Sequence, residues 1–307
     1  MIKSFAITNY LGDRIKLDLR EPEVSGFLIK SVSGLGPVNA NVNTTEVVTN
    51  DGSMFNSARL SQRNIVFQFV FVNTVYGETI EDIRQKSYKY FPAKKSLEID
   101  IETDNRHVRT TGYAESNEPN IFSSQEGTQI SIICPDPYFY STGEDGNNVT
   151  DFYVITPMFE FPFSNESLTE QSLVLGEIKT KSEGVITYYG DAEIGVTIYI
   201  HAIGIATNIN IYNIKTREAM KIDTTKLQKL TGKGVVASDD IVINTSKGNK
   251  SITLIREGVS YNILNCLDKN TDWFTLAKGD NIFAFTADSG VTNLQFRIEN
   301  KVVYEGV

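Results

Sequence analysis

The sequence has few of the residues that most often carry chemistry. Two cysteines occur, Cys134 and Cys266, with two histidines and one tryptophan among 307 residues. Cysteines so few and so far apart make neither a disulfide framework nor a metal-ligand set, and they read as buried thiols. Long apolar runs are missing too: the longest, residues 65–72, is broken by Gln68, well short of a bilayer span. No membrane insertion is expected. The opening MIKSFAITNYLGDR lacks the apolar block of a signal peptide, so we expect a chain that starts at Met1 and is made in a cytoplasm. Basic tracts are absent as well. Residues 1–145 carry 14 Lys and Arg against 19 Asp and Glu, and residues 146–307 carry 15 against 19, for a net charge of −9. Neither half offers a surface to hold phosphates, which argues against specific nucleic-acid binding.

What is present reads mainly as β-strand. IKSFAIT, IKLDL, GFLIKSV, NIVFQFVFV, SLEIDIET, RHVRTTGYAES and TQISIIC fill the first half with alternating, β-branched-rich runs. One segment has a different period. In TIEDIRQKSYKYF (79–91), Ile80, Ile83, Ser87, Tyr90 and Phe91 share a helical face, and Thr79 and Asp82 have capping-box spacing. Lys86 and Lys89 suit the C-terminal end of the dipole and Pro92 stops the run. Residues 34–63 are rich in Gly, Asn, Ser and Thr, with a turn signal at Asn50-Asp51-Gly52. So polar an excursion is expected outside the core and to serve a function or be disordered.

ICPDPYFY (133–140) is unusual. Pro135 and Pro137 cannot donate to a ladder and bias Cys134 and Asp136 towards extended backbone. The strand before them must end stiffly, and the three aromatics need a surface to pack on. GEDGNNVTD then reads as a linker. Beyond it VITYYG, GVTIYIHAIG, NINIYN, AMKIDT, DIVINT, SITLIRE, WFTL, NIFAFTA and LQFRIEN recur at the spacing of a β-sandwich. The expected fold is mainly β: a domain over 1–145 with one helix near 79–91, and a sandwich over 146–307.

Chemical motifs are weak. Gly232-Lys233-Gly234-Val235-Val236-Ala237 has the letters of a dinucleotide fingerprint, but a strand follows where a helix should begin. Asp268, Asn270 and Asp272 open like a calcium loop, yet Trp273 takes the glycine position and Gly279 the glutamate position. Gly258-Val259-Ser260-Tyr261-Asn262 lacks the last glycine of a nucleophile elbow, and His107 and His201 stand in strands. Glu98, Asp100 and Glu102 alternate with Leu97, Ile99 and Ile101, the pattern of an apolar inner and a solvated acidic outer face rather than of a glycosidase pair. We expect no catalytic residue, no cofactor and no metal.

A β-rich domain with one helix, closed by CPDPYFY and followed by an all-β domain carrying WFTLAKGDN, resembles the phage distal tail proteins (Dit). The turn Gly34-Leu35-Gly36-Pro37 and the segment SMFNSARLSQRNI agree with it. The resemblance implies a virion protein of the tail tip or baseplate, assembled in the host cytoplasm. It implies an N-terminal domain, split barrel or sandwich, that forms a hexameric ring, and a C-terminal galectin-like or carbohydrate-module-like sandwich. The implied partners are further copies of itself, the tail tube protein, the tail-associated tip or hub protein, receptor-binding or baseplate proteins and the tape measure protein. DNA would pass through without specific binding. Gly36, Pro37, Phe55, Arg59 and Arg63 become candidate intersubunit contacts on an arm. Pro135, Asp136, Pro137, Tyr138 and Phe139 become an interdomain hinge, anchored by Tyr138 and Phe139. Two other classes stay open: a carbohydrate-binding adhesin, argued from Trp273 as sugar contact and a tyrosine-rich second half (Tyr188, Tyr189, Tyr199), and a wall-degrading enzyme using the 98–102 carboxylates.

Overall fold

The computed structural model describes residues 1–46, 51–143, 146–157 and 176–307. The chain divides into two compact units, Met1–Gly146 with Val303–Val307, and Asn147–Val302. The expected second domain ran to residue 307. Its last five residues instead return to the first unit, so the chain passes between the units twice.

The first unit comprises β1 (Ile2–Thr8), β2 (Arg14–Asp18), α1 (Pro22–Ser25), β3 (Phe27–Ser33), β4 (Ala40–Glu46), β5 (Ser53–Leu60), β6 (Arg63–Phe71), α2 (Ile80–Tyr90), β7 (Ser96–Thr103), β8 (His107–Pro119), β9 (Gly127–Cys134) and β10 (Phe139–Ser141). Its main sheet runs β2-β1-β7-β8-β9-β6-β3, antiparallel throughout. β10 joins at one side, pairing with both β8 and the closing strand Val303–Tyr304. Period-2 alternation builds the core: Ile65, Phe67, Phe69 and Phe71 of β6 and Leu97, Ile99 and Ile101 of β7 are buried against Phe5, Ile7 and Phe27. Edge-to-face rings link Phe5 to Phe67 and Phe27 to Phe69.

Helix α2 covers part of this core. Thr79 and Asp82 form the reciprocal capping box. Ile83, Ser87 and Phe91 are buried, while Ile80 and Tyr90 are half-buried. Lys89, in the last turn, pairs with Asp13 at 2.9 Å.

The second unit is a sandwich. One sheet orders the strands Asn147–Asp151, Leu294–Lys301, Thr197–Ala202, Asp239–Asn244, Ser251–Arg256 and Val259–Asn262; the other orders Glu183–Tyr188, Gly279–Ser289, Thr207–Asn213 and Glu218–Ile222. Phe285 of one sheet stacks on Phe296 of the other with ring centroids 4.0 Å apart. No helix is expected here from the residue pattern, yet α3 (Thr224–Thr231) forms two turns capped by the Asp223 side chain. Only Thr224 and Leu227 of it are buried, too few to reveal a period in sequence.

Candidate functional site

The candidate contacts separate into two groups with opposite environments. Arg63 is wholly buried, which corrects its assignment as an exposed arm contact. It opens β6 on the same face as Ile65 and Phe67, so strand parity turns it inward. Its guanidinium donates Nε–H to Pro137 O at 2.8 Å, Nη1 to Gly34 O at 2.5 Å and Gly36 O at 2.7 Å, and Nη2 to Glu305 O at 2.6 Å. It also lies over the Phe139 ring, 4.1 Å from the centroid. A buried cation without a carboxylate is tolerable only when nearly every donor is used, and burial pulls this group below its ordinary pKa. The residue joins three distant segments: the Gly34–Gly36 turn, the double-proline stretch and the C-terminal tail.

That turn is built for close approach. Gly34 has φ +85°, and a Cβ there would stand 1.9 Å from Asn64 O, so no other residue fits without moving backbone. Pro37 is exposed. Val307 N donates to Leu35 O at 3.0 Å, and a Cβ on Gly306 would come within 3.3 Å of Gly36 and Pro37.

The double-proline stretch is a fixed corner within the first unit, not a free hinge. The Asp136 carboxylate accepts from Tyr138 N at 3.1 Å and from the Tyr140 hydroxyl at 2.6 Å, an Asx turn closed by an aromatic. Phe139 is fully buried, Pro137 and Tyr138 are half-buried, and Pro135 and Asp136 are exposed. The anchor is therefore Phe139 more than Tyr138. With β10 bonded on both sides, the chain is held until it leaves towards the second unit.

Phe55 and Arg59 lie on a different kind of structure. β4 and β5 pair only with each other, and nearly every residue in them is exposed. The register shifts between Asn43 and Thr44, which face Ser57 and Phe55 and leave Asn56 as the extra residue. Without that bulge Phe55 would share a face with Ser57 and Arg59. With it, Phe55 joins Val42, Ala58 and Leu60 on one apolar face, while Arg59 stays with the asparagines opposite. Phe55 is 63% exposed, and Arg59 has no ion-pair partner among the described residues. A two-stranded ribbon of this kind is marginal alone.

The 98–102 carboxylates are tied down rather than simply solvated. Arg109 grips Asp100 through Nε and Nη2 and reaches Glu98 at 3.0 Å; Arg14 adds a contact to Asp100 at 2.9 Å. Glu102 accepts from the Ser4 hydroxyl at 2.9 Å. Asp100 raises the Arg109 guanidinium above its usual range. These are cross-strand ties.

The remaining candidates are in the second unit. Trp273 is half-buried with the Lys250 ammonium 5.3 Å from its ring centroid. Tyr188 is buried and donates its hydroxyl to Ala192 O, whereas Tyr189 is exposed. Gly232 is the left-handed C-cap of α3, so the helix precedes the glycines of the fingerprint. His201 meets Asp240 at 2.7 Å on the sheet surface.

No protein-family model matches the chain, and no curated protein matches it in sequence. Solved structures do. The Dit protein of phage SPP1, described as a hub of the adsorption apparatus in phages infecting Gram-positive bacteria, superposes with a TM-score of 0.62 at 13% identity, covering 97% of this chain and 99% of that one. Chains of the phage p2 baseplate in its activated conformation match at 15% and 14% identity, with TM-scores of 0.45 and 0.44 and coverage of 97% or more on both sides. Two β units, a capped helix on the first, an emergent ribbon and a C-terminal return to the first unit thus make up a chain with the fold of a phage distal tail protein.

Proposed function

We propose that the chain is a structural hub at the tip of a phage tail, a ring of identical subunits, hexameric, joining the tail tube to the tip protein and to receptor-binding or baseplate components. The observation that carries this reading is the end-to-end likeness to SPP1 Dit, which spans both units. The ribbon supports it: apolar side chains held out on an otherwise marginal hairpin make physical sense when a neighbour covers them. The ring would sit on the virion, and DNA would pass through it. Its bore is acidic or neutral, since neutralised phosphates would add affinity and stall transit.

Native mass spectrometry of the purified chain at high concentration, alone and with neighbouring tail proteins, tests the reading. A species of six subunits is expected. Monomer under all these conditions would sink it. No second class gains from the geometry: the Trp273 ring already carries a lysine, and of the acids of the enzyme reading Glu98 and Asp100 are bound to arginines and Glu102 to Ser4 and Lys16.

A further inference from the structure

The root of the β4–β5 ribbon is finished by residues that lie beyond the whole second unit in the chain. Phe139 pairs with Tyr304 and Tyr140 with Val303. Val307 N donates to Leu35 O at 3.0 Å. Arg106 Nη1 donates to Gly306 O at 3.1 Å, and its guanidinium lies 3.9 Å from the Tyr304 ring centroid. Glu305 O accepts from the buried Arg63, whose other bonds fix Gly34 O and Gly36 O. Leu35, Tyr304 and Val307 all pack against the first unit's core. Among the described residues the two ribbon strands pair only with each other. The ribbon's direction is therefore set at this root, where Ser61 N donates to Asn39 O at 3.1 Å.

The second unit controls how readily that tail arrives. Asn147 lies opposite Lys301 and Asn148 opposite Asn300, so the second unit's two ends leave beside each other. Only Val302 separates Lys301 from Val303, and both valines are buried. With the second unit unfolded, docking the tail on β10 must close a loop over residues 141–302. With it folded, the loop shrinks to residues 141–146, one strand rung and Val302. Closure probability falls roughly as the −3/2 power of loop length, so folding of the second unit raises the tail's local concentration on the order of 100-fold. We propose that residues 303–307 are a latch by which the first unit completes its ribbon root only after the second unit has folded. Until the tail docks, the Arg63 cation is short of an acceptor and the turn at Leu35 lacks its cover, which keeps the root loose. Taken with the ring reading above, on which this consequence rests, the latch keeps unfinished chains out of the ring.

Pulsed amide exchange during refolding of the whole chain tests this. Amides of β6 and β9 report the first unit's core, those of Thr197–Ala202 the second unit, Val307 the latch and Ser61 the ribbon root. Val307 and Ser61 are expected to gain protection no earlier than Thr197–Ala202. Phe285→Ala takes a stacked ring from the second unit's core. It should delay protection of Thr197–Ala202 and of Val307 by the same factor and leave β6 and β9 unchanged. Val307 protected while Thr197–Ala202 is not, in either chain, would overturn the latch. Gly306→Val sets side-chain atoms against Leu35 O, Gly36 and Pro37. In the folded variant exchange should rise at Val307 and Ser61 and stay at wild-type rates in β6 and Thr197–Ala202. A Ser61 amide that stays protected once Val307 is freed would show that the tail does not hold the root, which also overturns the latch. By native mass spectrometry Gly306→Val should stay monomeric where the wild type forms rings. Rings from this variant would overturn the latch's hold on assembly and leave the ring reading standing. A wild-type chain that never assembles would overturn the ring reading and this consequence, with the latch itself still decided by exchange.

Discussion

Arg63 and Arg59 are four residues apart on the same polar excursion, and the structure gives them opposite lives. Arg63 is buried and feeds four backbone carbonyls from three segments. Arg59 stands on a ribbon with no ion-pair partner among the described residues. The foot of the excursion is thus finished within the monomer, while the ribbon above it is unfinished until something covers it. Composition treats both parts alike, since both are rich in small polar residues. What separates them is whether the chain itself supplies the hydrogen-bond partners.

Removing residues 303–307 should break the foot most severely. It deletes the buried Val303, the strand paired with β10, the Glu305 acceptor and the ring of Tyr304 over which Arg106 stacks at 3.9 Å. A loss of roughly 3–5 kcal/mol is expected, read as an early unfolding step of the first unit by denaturant titration. Unchanged unfolding would show the tail to be decorative.

Arg63→Ala comes next, at about 3 kcal/mol, because it removes four hydrogen bonds made by one buried guanidinium together with that side chain's packing. Arg63→Lys should recover little, since an ammonium cannot present the planar fork. Arg59→Ala should change monomer stability by less than about 0.5 kcal/mol. The two cysteines give a reporter in each unit: Cys134 in the first and Cys266 in the second, both buried. In Arg63→Ala, thiol labelling should accelerate at Cys134 and not at Cys266. Equal acceleration would mean that the units open together.

Gly34→Ala should cost about 1–3 kcal/mol from a strained positive φ, plus whatever backbone shift relieves the contact with Asn64 O. Loss of the Arg63–Gly34 bond should follow, visible as faster amide exchange in the turn. A neutral effect would mean that the turn rearranges freely.

The smallest effect concerns pH. Burial pushes both thiols above their ordinary value of 9.0. The folded state therefore keeps protons that the unfolded state loses, and stability should fall as pH climbs past about 9. Replacing Cys134 with Ala should flatten that slope in the first unit's transition, whatever it does to overall stability.

Much of the fold was legible in the residues. Thr79 and Asp82 announced α2, and the alternation of Ile65, Phe67, Phe69 and Phe71 announced a buried strand. That same parity, continued two residues back, places Arg63 on the inward face; the signal was present, but a charged residue beside a polar stretch reads as surface. Alternation puts the 98–102 acids on the outer face, where the structure has them, but no local window shows that Arg109 from the adjacent β8 and Arg14 from β2, two strands away, tie down Glu98 and Asp100. α3 escaped because two turns with two buried residues carry no period.

The β-rich class, helix α2 and the stiff corner after Cys134 are local consequences of side-chain period, capping and proline geometry, and so can be read directly from the residues. Tertiary structure decided that residues 303–307 close the first unit, that Arg63 is the knot of its foot, and that the bulge at Asn56 turns Phe55 onto the apolar face. Those outcomes depend on hydrogen-bond acceptors up to 242 positions away along the chain and on strand register. Neither is written in any local window, because which carbonyls a buried guanidinium finds is settled only when the whole chain has come together.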